Sequence, residues 1–158
     1  MTSFWSALKE AFDEGRDEGA HGAPNALLID AMMLAARSDR HVTKEELGRI
    51  AALLTKHFRS FADVPDTTLM TSLYDSVARL DGYGDLDAQL SGVANALKRR
   101  GTFAEEKGYA LVYAVLLADT GLNDSERLFA DRFRVALGLG PARAREIESD
   151  LDQALQTE

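Results

Sequence analysis

One eight-residue pattern occurs twice in this chain, eighty positions apart, each time behind a run of apolar residues too uniform for a protein surface. The copies are Asp39-Arg40-His41-Val42-Thr43-Lys44-Glu45-Glu46 and Asp119-Thr120-Gly121-Leu122-Asn123-Asp124-Ser125-Glu126. In both, an Asp stands seven residues before a Glu, an apolar residue (Val42 or Leu122) lies three after the Asp, and a capping residue (Thr43 or Asn123) follows. The run before the first copy, Ala26 to Ala36, is broken only by Asp30; the run before the second is Tyr109 to Leu117. A helix apolar on nearly every face belongs in the middle of a bundle. Each loop is followed by an amphipathic stretch. Two copies of one helix-loop-helix unit, neither able to cover its own apolar helix, are expected to pack about a pseudo-twofold axis.

The rest of the chain also reads as helix. Met1 to Glu14 predicts a short helix capped at Thr2 or Ser3, with Phe4, Trp5, Leu8 and Phe12 on one side. Gly15 to Gly22 reads as a linker, so residues 1–22 form an N-terminal helix and linker ahead of a helical domain over 23–158. Pro24 suits a first helical turn. Lys44 to Arg59 carries Leu47, Ile50, Ala51, Leu54 and Phe58 at helical spacing, and Phe61 to Pro65 breaks the pattern. From Asp66 a stripe of Leu69, Leu73, Val77 and Leu80 leads to a turn at Asp81–Asp85. Leu86 to Arg100 turns Leu90, Val93, Ala94 and Leu97 inward and ends in Lys98, Arg99 and Arg100, where the helix dipole favours positive charge. Gly101 supplies a stop, and Thr102-Phe103-Ala104-Glu105 has the spacing of a capping box. Leu128, Phe129, Phe133, Val135 and Leu137 mark a further amphipathic helix stopped at Gly138, and a last one after Pro141 carries Ile147, Leu151 and Leu155. No stretch alternates as a strand does. The expected fold is all-α: a single-domain bundle of seven to eight helices built from two pseudo-symmetric helical repeats.

Charge and composition narrow the function. With 26 acidic and 18 basic residues the net charge is −8, the wrong sign for a general nucleic-acid binder and the right one for cations or a basic partner. The absence of cysteine excludes disulfides, thiolate catalysis and cysteine-based zinc sites. The longest apolar run, Tyr109 to Ala118, is ten residues, about half of a membrane span, so direct membrane insertion is not expected. No basic segment followed by an apolar core stands at the N-terminus, and a cytoplasmic location is the default expectation.

The repeated loop supports two readings. As caps, Thr43 with Glu46 and Asn123 with Glu126 have N-cap and N3 spacing, each cap worth about 1 kcal/mol. As a cation site, Asp39 with Glu46, and Asp119 with Glu126 and Asp124, offer mixed oxygen ligands of the kind calcium or another divalent cation accepts at flexible geometry. The spacing is not that of an EF-hand. His21, His41 and His57 lie in three segments without metal-ligand spacing, and Ser6-Ala7-Leu8-Lys9 lacks the motifs that accompany a Ser-x-x-Lys nucleophile. Gly138-Leu139-Gly140 is a helix stop and start and not a dinucleotide fingerprint. No nucleophile or base constellation appears, so no enzymatic activity is expected. Tyr109 and Tyr113, one turn apart, are expected in the core with their hydroxyls reaching partners.

The doubled motif resembles that of the TerB-like tellurite-resistance family, in which Ala-Asp-Gly-x-apolar-(Ser/Thr/Asp)-x-x-Glu follows a buried helix. Ala118 through Glu126 carries the closer likeness and Ser38 through Glu46 the looser one, with Thr120 and Arg40 in place of the motif's glycine. The resemblance covers about Asn25 to Ala154. It implies a helical bundle with internal symmetry and an acidic surface for a metal or a protein partner in stress-linked complexes near the membrane. A related module occurs in membrane-anchored DnaJ-type co-chaperones. The function expected from it is a non-enzymatic stress-response module that binds a divalent cation, a protein partner or both; the alternative is a metal-free adaptor whose acidic motifs are caps only. For the adaptor, Tyr83, Phe61 and the Phe4/Trp5 face are the surfaces of interest. Tellurite, an anion, would be repelled by the acidic loops.

Overall fold

The computed structural model describes residues 6, 26–37, 43–58, 61, 63–120 and 123–157, excluding the side chains of 26, 118–120 and 155–157. The N-terminal helix expected over Met1 to Glu14 and the linker after it lie outside the described residues, apart from Ser6. Among the described residues there are seven helices and no strand. They are α1 (Ala26–Ala36), α2 (Lys44–His57), α3 (Asp66–Tyr83), α4 (Leu86–Arg99), α5 (Thr102–Thr120), α6 (Asp124–Leu137) and α7 (Pro141–Thr157). The all-helical expectation holds.

The two apolar runs form the centre. In α1 every residue from Leu28 to Ala35 is buried, and in α5 every residue from Gly108 to Ala114 is buried. These two helices pack most extensively on one another. Burying side chains such as Leu34 and Leu111 completely contributes about 2 kcal/mol each, which is why the most apolar helices take the middle. Helix α3 packs on α1, α7 on α5, and α4 touches α1, α5 and α6. Gly108 lets α4 approach α5 closely, since a Cβ there would stand 2.4 Å from a Leu97 methyl.

Three local expectations are corrected. Helix α3 runs through Asp81 and Gly82 to Tyr83, where a turn was expected, and the chain reverses only at Gly84 (φ 115°) and Asp85. The Tyr83 ring lies over Gly92, so close that a Cβ there would meet it at 2.4 Å. The capping box at Thr102 is absent: Thr102 is already helical, Gly101 (φ 108°) precedes it, and the Glu105 amide donates to the Gly101 carbonyl at 3.2 Å. Leu128 and Val135 are not inward; they are 61% and 65% exposed, while Phe129, Phe133 and Leu137 form the buried stripe of α6.

Candidate functional site

The second motif loop is held by the helices on either side of it. Helix α5 ends at Thr120 and α6 begins at Asp124, with Asn123 in extended backbone as its N-cap. Asn123 Oδ1 accepts from the Glu126 amide at 2.8 Å, and the Asn123 amide donates back to Glu126 Oε1 at 3.3 Å. This reciprocal capping box satisfies donors that the first helical turn leaves open. Glu126 is only 3% exposed, so the motif glutamate is drawn inward and not presented to solvent. Asp124, one residue past the cap, is exposed. Asp119 lies in the last turn of α5, and its side chain is outside the described residues.

The first loop uses the same chemistry at the surface. Thr43 Oγ1 accepts from the Glu46 amide at 3.1 Å and donates to Glu46 Oε1 at 3.2 Å. Thr43 is exposed and Glu46 half-buried. Asp39 lies outside the described residues, as do His21 and His41. Among the described residues, no group of three or more His, Asp or Glu side chains is arranged to hold a metal ion. The loops thus bring Asn123, Asp124 and Glu126 together at one helix start, and Thr43 and Glu46 at the other.

Beside the second loop runs a polar ladder that joins three helices. The Tyr109 hydroxyl donates to Glu148 Oε2 at 2.5 Å, and Arg127 Nη1 donates to Glu148 Oε1 at 2.8 Å. One turn along, Tyr113 donates to Asp152 Oδ1 at 2.9 Å. Arg143 grips Glu106 through both Nε and Nη2 at 2.9 and 3.0 Å. Burial, with the hydrogen bond and negative charge of Glu148, pushes the Tyr109 hydroxyl well above the ordinary tyrosine range, against the pull of Arg127. Burial and Asp152 do the same to Tyr113. The hydrogen bond to Glu148 in turn holds the proton on Arg127 more firmly. Such tyrosines stay protonated donors. They cannot act as bases, and a fully buried Tyr109 offers no oxygen to a substrate. The ladder fastens α7 to α5.

Another buried carboxylate lies between α1 and α3. Asp30, the one interruption of the first apolar run, accepts from Ser76 Oγ at 2.5 Å and from Arg79 Nη2 at 2.8 Å. Arg37 at the end of α1 lies 2.7 Å from Asp81. In both pairs, α1 with α3 and α5 with α7, the contacts advance together along the two helices, so the partners run in the same direction. Reading the sequence alone missed Glu148, Asp152, Arg127, Ser76 and Arg79. The available signals were Asp30 itself, which as a charge among apolar residues demands a partner, and the matched one-turn spacings of Tyr109/Tyr113 and Glu148/Asp152.

Of the surfaces named for a partner, Tyr83 is 43% exposed and Phe61 half-buried, while Phe4 and Trp5 lie outside the described residues. No helix among the described residues is long and apolar enough to cross a membrane. Comparison with known proteins finds no matching family model, no matching curated protein and no matching solved structure.

Proposed function

We propose that this chain is a non-enzymatic, TerB-like module that binds a protein partner, with its repeated acidic motifs acting as helix caps. The observation that carries this reading is Glu126: it is buried, and its carboxylate is already engaged with the Asn123 amide. A divalent-cation site would have to take Glu126 out of that box. Leu128 and Val135, seven residues apart on the outer face of α6, add exposed apolar area that the core does not use, as a partner-binding module would have. The two-unit reading belongs to the same proposal. Support for it comes from the mutual packing of α1 and α5 and from the outer helices α3 and α7, each parallel to its central helix. Superposing residues 26–83 on 102–157 in a crystal structure would test it. The partner we propose belongs to a membrane-proximal stress complex, the setting that the TerB resemblance implies.

The cation reading has one observation in its favour: exposed Asp124 lies one short loop from the Asp119 backbone, leaving those two carboxylates for calcium or another divalent ion. Thermal unfolding of wild type and Asp119→Asn, with and without millimolar calcium after chelator treatment, separates the two. Under the adaptor reading neither protein responds. A folded-state ion at a hundredfold excess over its dissociation constant would add about 2.7 kcal/mol. A rise in Tm seen in wild type and abolished by Asp119→Asn would replace the adaptor reading with the metal one.

A further inference from the structure

Among the described residues, five arginines are held by carboxylates of other helices, while Lys44, Lys98, Arg99, Arg100 and Arg145 form no ion pair with a described side chain. Arg37, Arg79, Arg127, Arg132 and Arg143 each reach a carboxylate: Asp81, Asp30, Glu148, Asp87 and Glu106 respectively. In a chain with eight more acids than bases, that is the expected fate of a guanidinium. Lys98, Arg99 and Arg100 are different. They are consecutive, all exposed, and none forms an ion pair or hydrogen bond with a described side chain. They stand at the corner where α4 ends and α5 begins. Three residues further on, Phe103 is 45% exposed, and the Lys107 ammonium lies 5.0 Å from its ring centroid. Helix-dipole stabilisation accounts for a cation in the last turn of α4. It does not account for three in a row, followed three residues on by an exposed aromatic ring.

We propose that this corner, formed by Lys98, Arg99, Arg100, Phe103 and Lys107, is a docking surface for a short acidic peptide segment of a partner protein. Charge complementarity selects the sign of the occupant, and the remaining charge selects its size. Screening confines the corner's field to about 8–10 Å, and beyond it the surface of a −8 chain repels an extended polyanion such as a membrane or a duplex. A segment of a few acidic residues is held by the cations without meeting that surface. One apolar or aromatic side chain within it covers the Phe103 ring. Arginine supplies the planar fork that grips carboxylates in pairs. The surface is separate from the second motif loop: it lies at the start of α5, whose 19 residues set it about 28 Å from that loop. It stands or falls independently of the fate of Asp119 and Glu126.

The test is fluorescence anisotropy of the full chain with a fluorescein-labelled peptide of glutamates flanking one tryptophan. A peptide with lysines in place of the glutamates, phosphatidylserine vesicles and a short DNA duplex are run in parallel. The acidic peptide is expected to bind, more weakly as salt rises, and the lysine peptide is not. The triple variant Lys98→Glu/Arg99→Glu/Arg100→Glu should weaken binding by about tenfold or more, three exposed pairs being lost. Phe103→Ala should weaken it about threefold. All of these side chains are exposed or nearly so, and circular dichroism at the same concentrations verifies that the variants are folded. Absence of binding up to millimolar protein, binding unchanged in the charge-reversal variant, or tighter binding to the vesicles or the duplex would each overturn the proposal.

Discussion

The two halves of the molecule each bury a carboxylate against a central helix, and they do it from opposite sides. In the first half the acid, Asp30, sits on the central helix α1, and its partners Ser76 and Arg79 come from α3. In the second the central helix α5 contributes only hydroxyls, Tyr109 and Tyr113, and the acids Glu148 and Asp152 stand on the outer helix α7. The first arrangement places a charge among the most apolar residues of the chain and relies on one arginine that is itself 43% exposed. The second keeps the centre neutral and divides the charge between two acids nearer the solvent. Each buried carboxylate has one arginine, and the one carried by the central helix, set among apolar residues, is the more sensitive of the two.

Truncation should expose that difference. Asp30→Ala leaves the fully buried Ser76 hydroxyl without its acceptor and removes the charge-assisted bonds from Ser76 and Arg79, a loss of about 3 kcal/mol. Glu148→Ala strands the Tyr109 hydroxyl but lets the partly exposed Arg127 return to water or to Asp131, 3.9 Å away, for a loss of about 2 kcal/mol. Urea unfolding at neutral pH measures both. Equal losses would break the contrast between the halves.

Alkaline pH should weaken the second half selectively. Tyr109 and Tyr113 have folded pKa values raised above the ordinary value of about 10. Their stabilisation is complete below that ordinary value. Above it the unfolded chain sheds the protons while the folded chain keeps them, so stability falls with rising pH until the folded values are reached. Each tyrosine contributes a slope of about 1.4 kcal/mol per pH unit in that window. Tyr109→Phe/Tyr113→Phe should be less stable at neutral pH, yet lose stability less steeply than wild type above about pH 10. A double variant with the wild-type slope would show that the ladder does not govern alkaline unfolding.

Central helices were legible in the sequence because a helix that is apolar all the way round has no face to give to water and must lie inside. Their polar partners were not. Asp30 announced a need for a cation, but the arginine that answers it lies 49 positions away on a helix whose register only the fold determines. Tyr109 and Tyr113 likewise called for acceptors, and α7 offered Glu146, Glu148, Asp150 and Asp152. The one-turn spacing of Glu148 and Asp152 matches the tyrosines, but so does that of Glu146 and Asp150. In α6, adjacent Leu128 and Phe129 cannot both face the core. The run Phe129, Phe133, Leu137 has the tighter helical repeat, and it took the interior. At Thr102 the capping spacing was present, but Gly101, free to adopt a positive φ, moved the helix start one residue upstream of the pattern.

The smallest predicted effect compares the two motif loops, one capped in each half. The motif predicts equal caps, whereas the structure part-buries the hydrogen bonds of one and exposes those of the other. Asn123→Ala removes an acceptor for the Glu126 amide in a part-buried setting, where water replaces it poorly, and should cost about 1 kcal/mol. Thr43→Ala acts on an exposed hydrogen bond that water can restore, and should cost about 0.5 kcal/mol, the lower end of the range for caps. Glutamine replacements sharpen the contrast. Glu126→Gln keeps an oxygen for the Asn123 amide but gives up a carboxylate next to the positive end of α6, whereas Glu46→Gln changes a group that solvent already screens. Denaturant midpoints in low salt should therefore fall further for Glu126→Gln than for Glu46→Gln, with the gap narrowing as salt is added. If Thr43→Ala and Asn123→Ala cost the same and the glutamine pair does not separate, the burial of Glu126 contributes nothing to the cap. The case for reading that glutamate as structural would then have to rest on calcium insensitivity alone.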